Sequence, residues 1–201
     1  MKENLTVSDS KKLFHEQFPY VIPGLYKRIV DEMLVELNLL THQNEFVQDF
    51  LFCIGLTGTF NELMKSYTPK EHLDLLFESL CNSTNFESKK IIEISKNSLK
   101  DFENKSSEDI IKLLKEKINS NPYYSRIVNL GIYIIISSAS DYKKSKETEK
   151  NKLVKNIFEN LNLSANRAEK DIGIYLSSIK KLKQAIELQE EIKIKDKKKN
   201  N

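Results

Sequence analysis

Residues 25–40 read Leu25-Tyr26-Lys27-Arg28-Ile29-Val30-Asp31-Glu32-Met33-Leu34-Val35-Glu36-Leu37-Asn38-Leu39-Leu40. Ile29, Met33, Leu37 and Leu40 recur at intervals of three and four, with Val30 beside them. That period makes one face of a helix apolar. The other face carries Arg28 and Glu32, an i,i+4 pair of opposite charge that supports a helix, and then Glu36. No glycine or proline interrupts the run. A strand would alternate every second residue, and this stretch does not.

The same period extends outward in both directions. Upstream, Ser8 or Asp9 can cap a short helix ending near Gln17, and Pro19 and Pro23 bracket a turn. Downstream, residues 46–67 place Phe50, Leu51 and Ile54 as a buried helix would. Gly55 and Gly58 there let a neighbouring helix approach closely, at about 1 kcal/mol each relative to alanine. Thr68-Pro69-Lys70-Glu71 has the form of a capping box with proline at the first helical position. The helix it predicts carries Leu73, Leu76, Phe77 and Leu80, and residues 82–86 form a polar break. Residues 87–102 and 106–118 read as lysine-rich amphipathic helices, through Ile91, Ile94 and Leu99 and then Ile110, Leu113, Leu114 and Ile118.

Pro122 is expected to open an apolar helix from Tyr123. Its window 127–139 is the most apolar in the chain and reads as a buried central helix. Residues 140–151 hold one apolar side chain, Tyr142, and read as a linker. Leu153, Ile157 and Leu161 continue a helix, and Ser164 caps the last one. There Ile172, Tyr175, Ile179, Leu182 and Ile186 form a seam of little more than two heptads. A docked amphipathic helix and a short coiled coil both fit that seam.

Composition agrees with helices. The chain has 201 residues, of which 39% are hydrophobic and 30% charged, with only 5 Gly and 4 Pro. A sandwich or barrel needs more turn-forming residues than that. The expected fold is all-α: a single multi-helix domain with a long C-terminal helix. The expected boundaries are a flexible N-terminus at 1–7, a helical domain at 8–160, the long helix at 161–194 and a basic disordered tail at 195–201.

The net charge is +3, unevenly spread. Residues 193–201 hold five lysines and one aspartate, a net +4, which leaves the remaining 192 residues at −1. Residues 31–78 hold nine acids and two lysines, a net −7. Such a body is no nucleic-acid binder, and nucleic acid is not expected as a partner. Two cysteines, Cys53 and Cys81, cannot make a disulfide framework and point to a reduced compartment. No signal peptide is expected. The 127–139 window contains Asn129 and falls far short of the ~20 residues that a membrane span needs.

Residues with catalytic chemistry are scattered. His15, His42 and His72 stand far apart, and the residues three before them are Lys12, Leu39 and Pro69, so no Glu-x-x-His pair for a metal-binding bundle exists. Cys53 and Cys81 read as small buried hydrophobes. A Cys81–His72 nucleophile pair has nothing to activate it. No glycine-rich phosphate loop occurs. Glu32 and Glu36 share a helical face and read as a solvated or salt-bridged surface rather than an acid–base pair. The chain is expected to be no enzyme and to need no cofactor or metal.

Several blocks resemble a known family. Thr6-Val7-Ser8-Asp9-Ser10-Lys11-Lys12-Leu13-Phe14 is similar to the opening of the thylakoid formation protein family, also called the photosystem II biogenesis protein family. Pro23-Gly24-Leu25-Tyr26-Lys27-Arg28-Ile29-Val30-Asp31-Glu32-Met33-Leu34-Val35-Glu36-Leu37-Asn38-Leu39-Leu40 resembles its most characteristic stretch. Phe52-Cys53-Ile54-Gly55-Leu56-Thr57-Gly58-Thr59-Phe60 and Met64-Lys65-Ser66-Tyr67-Thr68-Pro69 follow in order. Later blocks are Tyr124-Ser125-Arg126-Ile127-Val128-Asn129-Leu130-Gly131-Ile132-Tyr133, then Lys170-Asp171-Ile172-Gly173-Ile174-Tyr175-Leu176 and Lys180-Lys181-Leu182-Lys183-Gln184-Ala185. Ser66 stands where the family often has glycine, and residues 82–105 diverge.

The resemblance implies an all-helical protein of the cyanobacterial type that acts at thylakoids without spanning them. It implies association with the membrane-bound FtsH-type protease complex, in support of photosystem II assembly or repair and thylakoid formation. The expected location is cytoplasmic, peripheral to the thylakoid membrane. Candidate protein-binding residues are Arg28, Glu32 and Glu36 in the acidic section and Tyr175 and Ile179 on the last helix. Candidate membrane-surface residues are Lys195, Lys197, Lys198 and Lys199. Monomer and dimer both stay open. Two other readings stand beside this one. One is a membrane-surface scaffold using the basic tail. The other is a pigment or small-ligand bundle built on residues 127–139 with Phe46, Phe50, Phe52 and Phe60.

Overall fold

A computed structural model describes residues 5–118 and 124–199, and of residues 193 and 196–199 the backbone alone. Among the described residues the regular structure is ten α-helices and one 3-10 turn. The helices are α1 (Val7–Gln17), α2 (Gly24–Thr41), α3 (Phe50–Leu63), α4 (Leu73–Asn82), α5 (Ser88–Lys100), α6 (Ser107–Lys117), α7 (Arg126–Ser138), α8 (Ser140–Lys144), α9 (Glu147–Asn160) and α10 (Ala165–Lys199).

The centre is the crossing of α3 and α7, the most extensive contact between any two helices. Both are apolar nearly all round, as buried helices are. They meet at their glycines: a methyl carbon added at Gly55 would lie 1.9 Å from the carbonyl oxygen of Ile127, and one at Gly131 would lie 2.1 Å from that of Leu51. Backbone touches backbone there, which only residues without Cβ permit. The close approach expected of Gly55 is therefore present. Helices α5 and α10 flank this crossing, while α1, α2 and α4 pack on one another to one side.

Helix ends depart from the sequence expectations for local reasons. Thr6, not Ser8 or Asp9, caps α1. Its hydroxyl accepts the Asp9 amide at 3.2 Å, and the Asp9 carboxylate accepts the Thr6 amide at 3.0 Å. The Leu5 carbonyl accepts from the Asn38 amide at 2.7 Å, so residues 5–7 are tied to α2, and Met1 to Asn4 lie outside the described residues. Asp49 caps α3 by accepting the Phe52 amide at 2.9 Å, which moves its start from 46 to 50. The capping box at Thr68 does not form. Pro69 leads into a 3-10 turn, Lys70–His72, and α4 starts only at Leu73. Ser125 caps α7, accepting the Val128 amide at 3.1 Å, so the helix begins at Arg126; Pro122 and Tyr123 lie outside the described residues.

The expected linker at 140–151 is instead helix α8 and the start of α9. The Asp141 carboxylate accepts from the amide (3.0 Å) and the hydroxyl of Ser107, and the Lys146 amide donates to Glu149 at 3.0 Å. These side-chain bonds stabilise helix ends that an apolar count overlooks. Helix α10 runs through Lys199, past the break expected at 194, because lysine is a good helix former and no glycine or proline follows Gly173.

The aromatic set proposed for a pigment site is core. Phe52 and Phe60 are buried, Phe46 and Phe50 are half-buried, and the rings pack at 5.0 Å (Phe46–Phe52), 6.3 Å (Phe50–Phe102) and 4.9 Å (Phe60–Phe77). The seam of α10 also turns inward. Ala168, Ile172, Tyr175 and Leu182 are buried, and Ile179 and Ile186 pack on the core beside them. It is a docked amphipathic face, and the coiled-coil reading of these residues falls away.

Candidate functional site

A long open groove of about 1370 Å³ runs between α2 and α10. Its α2 wall is one helical stripe: Lys27, Arg28, Asp31, Glu32, Val35, Glu36 and Leu39 follow one another at alternating steps of one and three. Its α10 wall is another, through Lys170, Gly173, Ile174, Ser177, Ser178 and Lys181. The start of α7, with Tyr124, Ser125 and Arg126, closes the floor. Leu39 (53%) and Ile174 (44%) are large apolar side chains left exposed on facing walls.

Two polar links hold the groove in shape. The Arg126 guanidinium donates to Glu36 from Nε at 3.1 Å and from Nη2, joining α7 to α2. Burial works against the guanidinium's charge, but its hydrogen bonds and attraction to Glu36 outweigh that and hold its pKa above the ordinary value. On the opposite wall, buried Asp171 accepts two hydrogen bonds on one carboxylate oxygen, from Tyr124 Oη at 2.9 Å and Asn129 Nδ2 at 2.8 Å. The Arg167 guanidinium lies 5.0 Å over the Tyr124 ring. These contacts fasten α10 to α7.

The groove gathers part of the expected set. Arg28 and Glu32 lie on its rim, paired at 2.7 Å and exposed. Glu36 lies deeper and is spent on Arg126, so it is a tie between helices rather than a free contact. Tyr175 and Ile179, expected on a binding surface, instead face the core. Tyr175 is buried, its ring 6.4 Å from that of Tyr133, and burial, then the nearby Glu62 and Tyr133, push its phenol up; Ile179 packs on the core. Lys195 is exposed far along α10, while the side chains of Lys197, Lys198 and Lys199 lie outside the described residues. Arg126, Lys170, Lys181 and Asp171 join the site although no local pattern in the sequence marks them as a set. The i, i+4, i+11 spacing of Lys170, Ile174 and Lys181 was the available signal for the α10 wall.

Reactive chemistry is muted elsewhere. Burial drives the Cys53 and Cys81 thiols up to about 12, which keeps them protonated and inert. Among the described residues no cluster of three or more metal-ligating side chains occurs, and no helix is long and apolar enough to cross a membrane.

The sequence model of the thylakoid formation protein family matches residues 6–201. The chain belongs to the thylakoid formation protein family. Among its relatives, Protein Thf1 of Prochlorococcus marinus strain MIT 9312 is 71% identical over 199 residues, 99% of each chain. Protein Thf1 of P. marinus subsp. pastoris (strain CCMP1986 / NIES-2087 / MED4) is 69% identical over 98% of each. The fold is shared with the solved structure of Psb29, at a TM-score of 0.85 over 98% of both chains and 24% identity. Family membership places the groove in a protein with a thylakoid-related, photosynthetic role.

Proposed function

We propose that this protein is a non-enzymatic accessory factor for photosystem II biogenesis and repair and for thylakoid formation. It works at the cytoplasmic face of the thylakoid membrane, where it binds and stabilises an FtsH-type protease complex. The observation that carries the docking role is the α2–α10 groove, a channel with exposed apolar side chains on both walls and a charged rim. Grooves of this form take up a segment of another protein. Family membership supports the thylakoid setting.

The test is retention of the protease from solubilised thylakoid membranes by the tagged full chain, beside a Leu39→Ser/Ile174→Ser variant and a version ending at Glu191. Both substituted residues are exposed, so the fold is expected to survive. Retention by the full chain and loss in the groove variant is the expected result. No protease recovered under conditions that preserve its oligomer sinks the adaptor reading. A second reading draws on the far end of α10, where Leu188, Ile192 and Ile194 are exposed among lysines, as on a helix lying at a membrane surface. Loss of retention only in the version ending at Glu191 favours that reading.

A further inference from the structure

The charges around the groove differ in how they are paired. Asp31 is paired with Lys11 at 3.8 Å, Glu32 with Arg28 at 2.7 Å, and Glu36 with Arg126. Lys27, Lys170 and Lys181 line the same groove, and their side-chain ammonium groups have no ion-pair or hydrogen-bond partner among the described residues. The carboxylates that make residues 31–78 acidic are thus compensated here from within the molecule. What the groove offers an incoming partner is uncompensated positive charge beside apolar side chains on its walls, Val35 and Leu39 on one and Ile174 on the other.

Size and spacing narrow the occupant. The α2 wall runs from Gly24 to Leu40 and the α10 wall from Lys170 to Lys181, which at 1.5 Å per residue is about 24 Å and about 16 Å. A small molecule is held in an enclosed pocket, whereas this gap is open along its length and suits a helix of three turns or more. Lys170 and Lys181 stand three turns apart on one face, with Ile174 between them. Gly173, Ser177 and Ser178 keep that wall low between the lysines, which leaves room for an incoming side chain.

We propose that the groove receives an acidic amphipathic helix of the partner protein. Its apolar stripe seats on Leu39 and Ile174. Carboxylates about three turns apart on one flank meet Lys170 and Lys181, and a carboxylate on the other flank meets Lys27. This inference rests on the adaptor reading and names the chemistry of the segment that the adaptor holds. Exposed pairs contribute little each and are screened by salt, so the lysines set orientation and association rate while the apolar stripe carries most of the affinity.

The test pairs two measurements on the full chain and on a Lys170→Glu/Lys181→Glu variant, whose unchanged melting curve shows that it folds. The first is fluorescence anisotropy with a labelled synthetic helix of about five turns, with one leucine stripe flanked by glutamates, and with a counterpart flanked by lysines. The full chain is expected to bind the glutamate helix roughly tenfold more tightly, the preference fading as salt rises. The variant is expected to lose or reverse that preference. The second is protease retention, expected to fall roughly tenfold in the variant as two attractive contacts become repulsive. Equal binding of the two helices, binding of neither, or full retention by the variant overturns the inference. If the full chain retains no protease while the glutamate preference holds, the adaptor reading falls and the charge specificity of the groove stands.

Discussion

At Gly55 two effects of opposite sign compete. Replacing a helical glycine with alanine gains about 1 kcal/mol of helix propensity. Yet the new carbon would lie 1.9 Å from the Ile127 carbonyl oxygen, and backbone held by its own helix cannot swing aside as a side-chain tip can. Forcing extra atoms into a packed core costs typically about 1–3 kcal/mol, and this contact is at the severe end. Gly55→Ala is therefore expected to lower stability by about 2 kcal/mol net, or roughly 4–8 °C in melting temperature for a chain of this size. Gly173 has nothing within 4 Å of an added carbon, so Gly173→Ala is expected to raise the midpoint by roughly 2–4 °C. Thermal unfolding of the two variants decides the matter. A Gly55→Ala protein as stable as the parent would show that α3 and α7 can separate freely.

Helix α10 is held to the body by an apolar seam, by an ion pair from Lys183 to Glu62 at 3.8 Å and by one buried carboxylate, and the carboxylate is the most easily tested. Asp171 and Asn129 are both buried and bonded to each other at 2.8 Å. Asp171→Ala strands the Asn129 amide, which costs about 1–3 kcal/mol when a buried donor loses its partner. The cost falls on the α7–α10 contact. Hydrogen exchange in residues 165–182 is thus expected to quicken while α3 stays protected. Uniform protection in both helices would mean that α10 stays fixed without the Asp171 bonds. The seam was legible in the sequence because Ile172, Tyr175, Ile179, Leu182 and Ile186 keep a helical period. What it packs on was not legible. Asp171 reaches Asn129 from 42 residues away and Glu36 reaches Arg126 from 90, and local spacing carries no information about such pairs. The groove inherits that limit: each of its walls is a readable stripe, but their facing one another is a fact of tertiary packing.

Across the whole molecule, several helices are fastened by carboxylates that must stay ionised. The Asp9 carboxyl is held below its ordinary value by the Thr6 hydroxyl and amide, that of Asp109 by the Ser106 hydroxyl, and that of Asp101 by Lys117. At Asp141 partial burial pushes upward, but the hydroxyl and amide of Ser107 outweigh it and the carboxyl is again lowered, which ties α8 to α6. A lowered folded pKa means that the unfolded chain takes up protons first. The stabilisation from these groups is present above the unfolded carboxylate value of about 4 and is lost as pH falls through the folded values. Asp49 acts in the opposite sense. Burial raises its carboxyl against the bonds from the Phe52 and Leu51 amides, so protonation there favours the fold as pH drops. Four lowered groups against one raised group give a net loss in acid. The melting temperature, followed by circular dichroism, is expected to hold nearly level from about pH 7 to 5 and to fall steeply below about pH 4. Asp141→Asn is expected to start from a lower midpoint at neutral pH and to lose less on acidification, since one of the titrating ties is already gone. A midpoint that stays level down to about pH 3, or an Asp141→Asn curve parallel to the parent's throughout, would show that these caps do not hold the helices together.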